Sequence, residues 1–188
     1  MATTADIKKG LCIKFKEDLW TIIDFQHHKP GKGGAFMRTR LKSVTSGKTL
    51  DHTFSSGESI DIQQISRRKF QFTYKDETGF NFMDQETFDQ ITLQEDEIEG
   101  WQYLKEGQEV EVCIHDDTDK YLFAELPPFV NLMITYTEPG LRGDTATNTL
   151  KAATLETGAT IHIPLFVEND TLIKVDTRNG SYVERVKS

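Results

Sequence analysis

The stretch HHKPGKGGAF, residues 27–36, sets Lys32 among glycines directly after Pro30 and Gly31. Glycine-rich segments carrying a lysine commonly cradle phosphate, because backbone N–H groups and one ammonium together match its charge. That chemistry has strict spacing. A phosphate loop needs a glycine, four residues, then Gly-Lys-Ser/Thr opening a helix, whereas Gly31-Lys32 is followed by Gly33. Gly47-Lys48-Thr49 has the right ending, but Lys42 stands where the leading glycine belongs. A dinucleotide fingerprint from Gly31 would need glycine where Phe36 stands. Both segments also lie in strand-like sequence, with no helix to offer its N-terminus, so nucleotide binding is rejected.

Other chemistry fares no better. Adjacent His27 and His28 on a strand point to opposite faces and cannot chelate one ion together. HDDTDK (115–120) opens like a calcium loop, but lacks the glycine and distal glutamate at the required offsets; it reads as an acidic turn between strands. There is no nucleophile elbow, and neither Cys12 nor Cys113 has a histidine in a catalytic pattern beyond the nearby His115. No catalytic residue, metal site or cofactor is expected. What remains is a hairpin: DFQHHKP runs in, AFMRTRL runs out, and GKGG turns between them. Glycines let such a tip enter a tight space. The competing reading is a plain turn whose lysine aids solubility.

The elements that position this tip are strands. Period-two alternation recurs in LCIKF (Leu11, Ile13 and Phe15 on one face), KFQFTY, EVEVCI, YLFAEL, TIHI and TLIKVD, broken by turn signals at short intervals. Small antiparallel barrels or sandwiches are expected. DEIEGWQYL (96–104) is the best candidate for a short helix. Gly10, Gly107 and Gly158 each stand three and five residues before inward-facing positions, so each is expected to open a strand. ISRRKF (65–70) and the two prolines of ELPPFV (125–130) mark boundaries, giving three β-domains at 1–65, 66–127 and 128–188.

The 188 residues carry a net charge of −8, unevenly spread: +3 over 1–65, −10 over 66–127 and −1 over 128–188. Phosphate contact draws on Lys and Arg, so the basic end is the one suited to RNA; an acidic surface merely solvated is the alternative reading for the middle. No apolar run marks a signal peptide or spans a bilayer. The two cysteines are expected to be buried free thiols in a reducing cytoplasm.

KPGKGGAF followed by RTRL resembles the first-domain hairpin of bacterial translation elongation factor P. The run EPGLRGDTATNTLKAATLETGATIHIPLFVENDTLIKVDTRNGSYVERV resembles that factor's third domain almost throughout, with Ile163 and Asp170 departing from the usual pattern. The resemblance covers the whole chain. It implies an all-β fold, an SH3-like (KOW-type) domain followed by two OB-folds in an L-shaped, tRNA-like arrangement. It also implies a non-enzymatic factor that binds the ribosome between the peptidyl and exit sites and relieves stalling at consecutive prolines. In the family the hairpin tip, here Pro30, Gly31, Lys32, Gly33 and Gly34, reaches the acceptor end of the peptidyl-tRNA. Lys32 occupies the position that is often covalently extended, which implies a lysine-modifying enzyme as a partner. Arg38, Arg40 and Lys42 could neutralise phosphates on the same face, or form a solvated strand. Gly143, Asp144 and Thr145 match a loop near the exit-site codon and small subunit; Tyr182 and Arg185 match residues near RNA, although Tyr182 could equally be a barrel residue. The implied partners are both ribosomal subunits, the L1 stalk beside the acidic domain and the P-site peptidyl-tRNA, with no membrane; a cytoplasmic monomer is expected. The related archaeal and eukaryotic factor lacks a third domain, so residues 128–188 favour the bacterial branch. The main rival from another class is a general OB-fold binder of single-stranded RNA, which would need aromatic residues on a basic groove.

Overall fold

In FMRTRLKS charged residues fall at every second position, and the backbone obeys them: Met37, Thr39, Leu41 and Ser43 are buried while Arg38, Arg40 and Lys42 face solvent. The computed structural model describes residues 2–29, 31, 34–139 and 150–186. Its first sheet holds β1 (Ala2–Thr3), β2 (Cys12–Phe15), β3 (Asp18–His28), β4 (Phe36–Ser43), β5 (Thr49–Ser55) and β6 (Ser59–Gln63), in the order β1-β6-β2-β3-β4-β5. Ile13, Ile22, Leu41 and Phe54 pack together inside it.

A second sheet has the order β10-β12-β11-β7-β8-β9. Its strands are β7 (Ile65–Asp76), β8 (Gly79–Asp84), β9 (Gln90–Leu93), β10 (Ile98–Glu99), β11 (Glu109–His115) and β12 (Lys120–Glu125). The third runs β15-β14-β13-β16-β17, from β13 (Phe129–Thr137), β14 (Leu150–Leu155), β15 (Thr160–Pro164), β16 (Leu172–Asp176) and β17 (Ser181–Arg185). The all-β expectation holds. The chain divides into two compact units, residues 1–66 with 113–122, and 67–112 with 123–188.

Three glycines do what their spacing predicts. Gly10, Gly107 and Gly158 adopt φ of +88°, +80° and +85°, a left-handed conformation that glycine reaches without a Cβ penalty. Each turn delivers a strand whose buried residues stand three and five positions on: Ile13 then the half-buried Phe15, Val110 and Val112, Ile161 and Ile163.

Residues 96–104 do not form the expected helix. Glu95–Glu97 and Trp101–Tyr103 are separate 3-10 turns on either side of β10. Gly100 at φ +79° separates β10 from the second turn, and so short a segment cannot sustain a helix by propensity alone. Ile98–Glu99 instead pairs in parallel with Ala124–Glu125, which buries Ile98.

The turn after β16 is held electrostatically. Asp176 accepts from Arg178 backbone N at 3.0 Å and Nε at 2.9 Å, and pairs with Nη2. These bonds, the guanidinium's foremost, hold its carboxyl below the ordinary carboxylate range. Because the folded pKa is depressed, the contribution to stability is present above the unfolded value of about 4 and is lost as pH falls through the folded value. Arg178→Ala should raise the Asp176 titration in a carboxyl NMR experiment and move acid unfolding to higher pH; an unmoved titration would refute the pairing.

Both cysteines are buried, and neither is in a disulfide. Burial pushes the Cys12 thiol up to about 11, so it is un-ionised at neutral pH and behaves as a core residue.

Candidate functional site: a basic hairpin in the first sheet

β3 and β4 form a hairpin in continuous antiparallel register from Trp20↔Ser43 to His28↔Phe36, with one bulge between Ile22 and Asp24. On the β3 side its stem runs past β2. Backbone bonding to the β2 side ends at Ile22, whose N–H donates to Leu11 O at 2.9 Å. The flank of β4 stays covered, because Phe36 to Lys42 pair with Ser55 to Thr49 of β5. Beyond the His28↔Phe36 pair come residues 29–35. Gly31 and Gly34 are exposed, and a Cβ added at either would meet nothing within 4 Å. Pro30, Lys32 and Gly33 lie outside the described residues.

Arg38, Arg40 and Lys42 occupy one outward face of β4. Their surroundings differ. Arg40 Nε lies 3.8 Å from Asp51 Oδ1 across β5, and Asp24 is its partner on β3. An exposed pair of this kind contributes about 0–1 kcal/mol, and it offsets part of the charge offered to a phosphate. Arg38 sits between Gln26 and Thr53 in register and has no ion pair among the described residues. Its guanidinium carbon lies 5.8 Å from the Phe36 ring centroid. A shallow groove of about 420 Å³ runs here, lined in part by Gln26, Arg38, Arg40 and Thr53.

His27 and His28 do point to opposite faces: His27 pairs with Met37 and is exposed, while the His28 ring stacks on Phe36 at 5.1 Å and 16°. His28 and Phe36 received no role from the sequence. Alternation could have placed them on one face, but their pairing depends on a seven-residue connection whose length no turn signal specifies.

In the third sheet Tyr182 and Arg185 are brought onto one face. Three residues apart on a regular strand, they would face opposite ways. A register shift between Lys174 and Val175 leaves Val183 without a partner, so Tyr182 pairs with Val175 and Arg185 with Ile173, both core-facing. The Arg185 guanidinium carbon lies 5.3 Å from the ring of Phe166, which is 63% exposed and was not foreseen as a neighbour. Gly143, Asp144 and Thr145 lie outside the described residues. Among the described residues no cluster of His, Cys, Asp or Glu could hold a metal ion, and no helix is long and apolar enough to cross a membrane.

Comparison with known proteins covers nearly the whole chain. The family described as Elongation factor P (EF-P) KOW-like domain matches residues 3–60, the Elongation factor P (EF-P) OB domain matches 65–119, and Elongation factor P, C-terminal, matches 130–185. Elongation factor P of Amoebophilus asiaticus is 57% identical over 188 residues, covering 100% of this chain and 99% of that protein. Elongation factor P 1 of Porphyromonas gingivalis is 53% identical over 187 residues, covering 100% of both. Among solved structures, Eukaryotic translation initiation factor 5A from Methanococcus jannaschii aligns with a TM-score of 0.52 at 24% identity, over 64% of this chain and 88% of that one; this likeness speaks for the fold alone. The three sheets are thus a KOW-like, SH3-like barrel followed by two OB-folds. From identity sustained over the full length and three consecutive domain matches, the chain belongs to the elongation factor P family, a family of translation elongation factors.

Proposed function

We propose that this translation factor binds the ribosome between the peptidyl and exit sites and relieves stalling at consecutive prolines, with Lys32 as the residue that reaches the peptidyl-tRNA. The observation that carries the reading is the β3–β4 hairpin, which ends in Gly31 and Gly34 with open space around both. A tip of that kind can enter a narrow cavity, and a lysine there can contact a tRNA backbone without reading a base. Proline is a restricted reactant because its ring fixes φ. Holding the peptidyl-tRNA in a reactive pose is catalysis by positioning, which can supply several kcal/mol while ribosomal RNA performs the bond chemistry. The factor itself then needs no active site or cofactor.

The remaining assignments rest on the same reading. Residues 1–65, 66–127 and 128–188 act as the three domains. Pro30, Gly31, Gly33 and Gly34 approach the tRNA with Lys32. Arg38 and Lys42 are the stronger phosphate contacts, since Arg40 is partly offset by Asp51. Gly143, Asp144, Thr145, Tyr182 and Arg185 meet RNA from the third domain, where the exposed Phe166 beside Arg185 suits that role. The acidic second domain neighbours the L1 stalk, and a cytoplasmic enzyme extends Lys32. Both subunits are contacted by a single copy. The test is a reconstituted bacterial translation system reading a message with consecutive proline codons. Addition of the purified chain should restore full-length product, and no gain over the factor-free reaction would overturn the reading.

A general single-strand RNA binder needs aromatic side chains on a basic groove. In the second domain the partly exposed Trp101 follows Glu95, Asp96, Glu97 and Glu99 in the sequence, and Lys75, paired with Glu95, is already seated 5.1 Å from its ring. That arrangement disfavours the alternative.

A further inference from the structure

The two arms of the hairpin are anchored unequally. The outgoing arm is gripped to its very base: Phe36 pairs with Ser55 of β5, and Ser56 N donates to Ala35 O at 2.9 Å, inside the 29–35 connection itself. The incoming arm has lost β2 by Ile22, so Asp24 to His28 pair with β4 alone among the described residues. Its last strand-paired residue before the tip is His28. There the imidazole lies nearly parallel to the Phe36 ring, 5.1 Å between centroids at 16°, with the Arg38 guanidinium carbon 5.8 Å from the same ring. The half-buried His28 keeps Nε2 out of solvent with no hydrogen-bond partner among the described residues. Among the described residues the stack on Phe36 is the contact that engages this ring. A Cβ added at Gly31 or Gly34 would meet nothing within 4 Å, so among the described residues neither position offers a surface for a side chain to lean on.

We infer that His28 is a positioning residue: by stacking on Phe36 it fixes the exit of the singly supported arm and thereby the aim of the tip. This rests on the proposed role of Lys32, since aim matters only if the tip has a target. Removing the ring leaves the loop's base pinned on one side only. A tip displaced by a fraction of an ångström to an ångström loses much of the benefit of proximity.

The experiment measures the rate of proline–proline bond formation in the reconstituted system, over a range of factor concentration, for the wild type, His28→Ala, His28→Phe, Lys32→Ala and the double variant His28→Ala/Lys32→Ala. His28→Ala should lower the saturating rate about tenfold, a part of the hundredfold that ångström-scale misplacement costs, with little change in the concentration giving half-saturation. His28→Phe should restore the rate, because it keeps a flat aromatic ring that can stack on Phe36, although it removes both ring nitrogens. In the Lys32→Ala background His28→Ala should add no further loss, because it acts through the tip. Wild-type rates for His28→Ala beside an inactive Lys32→Ala would overturn this inference and leave the tip's role standing. A failure of His28→Phe to rescue, or losses that multiply in the double variant, would also overturn it. An active Lys32→Ala would overturn the underlying reading instead.

Discussion

Lys32→Ala is expected to fold as the wild type does and to lose the factor's effect on proline–proline synthesis, the stimulated rate falling about a hundredfold toward the factor-free value. The fold should be unaffected because a Cβ added at Gly31 or Gly34, on either side of position 32, would meet nothing within 4 Å, and surface substitutions away from packed features stay within about 0.5 kcal/mol. The loss of function follows from the physics of positioning. A hundredfold in rate corresponds to about 2.7 kcal/mol of barrier, well within what correct alignment of reactants supplies. Lys32→Arg is a useful companion, since it keeps the positive charge but cannot be extended through an ε-amine. If Arg fails as Ala does, intact-mass measurement on protein from its native cell should show an added group on the wild-type chain. Normal stimulation by Lys32→Ala would remove the hairpin from the mechanism.

Gly79→Ala should be the most damaging single methyl in the second domain, destabilising it by about 3 kcal/mol. Gly79 opens β8 at φ +138°, a conformation close to forbidden for any residue with a Cβ. An added Cβ would also lie 2.6 Å from Leu93 O, a backbone atom of the paired strand β9 that cannot swing aside. Strain and collision therefore act together, and moving β8 from β9 would disturb Phe80 and Phe82 in the core. Gly158→Ala supplies the control: its φ is +85° but nothing lies within 4 Å of its Cβ, so only the left-handed backbone cost of about 1 kcal/mol applies. Urea unfolding monitored by circular dichroism should separate the two. Equal losses would mean that the contact with β9 does not matter.

How much of this was readable beforehand depends on the range of the interaction. The strands were legible because alternation is local: RTRLKS needs only its own pattern to turn Arg38, Arg40 and Lys42 outward. The strand-opening glycines were legible for the same reason, each needing only its own turn. Residues 96–104 were misread as helix, because their spacing carries no record of the strand that Ile98–Glu99 would find at Ala124–Glu125. Tyr182 and Arg185 show the same limit. Their common face comes from a bulge opposite Lys174 and Val175, and a bulge is a compromise between two strands that neither one encodes alone.

By itself, the order of residues settled the β-class, the turn glycines, the face of the basic strand and the resemblance that pointed to the family. Each depends on chemistry within a few positions. Tertiary structure decided which outward charges are already matched: among the described residues Arg40 is matched by Asp51 and Arg38 has no ion pair. It also decided that, among the described residues, the stem is held on both sides along β4 but beyond Ile22 on one side along β3, and that the His28 ring stacks on Phe36. Those facts depend on register between segments distant in sequence, and register is set by the packing of the whole sheet.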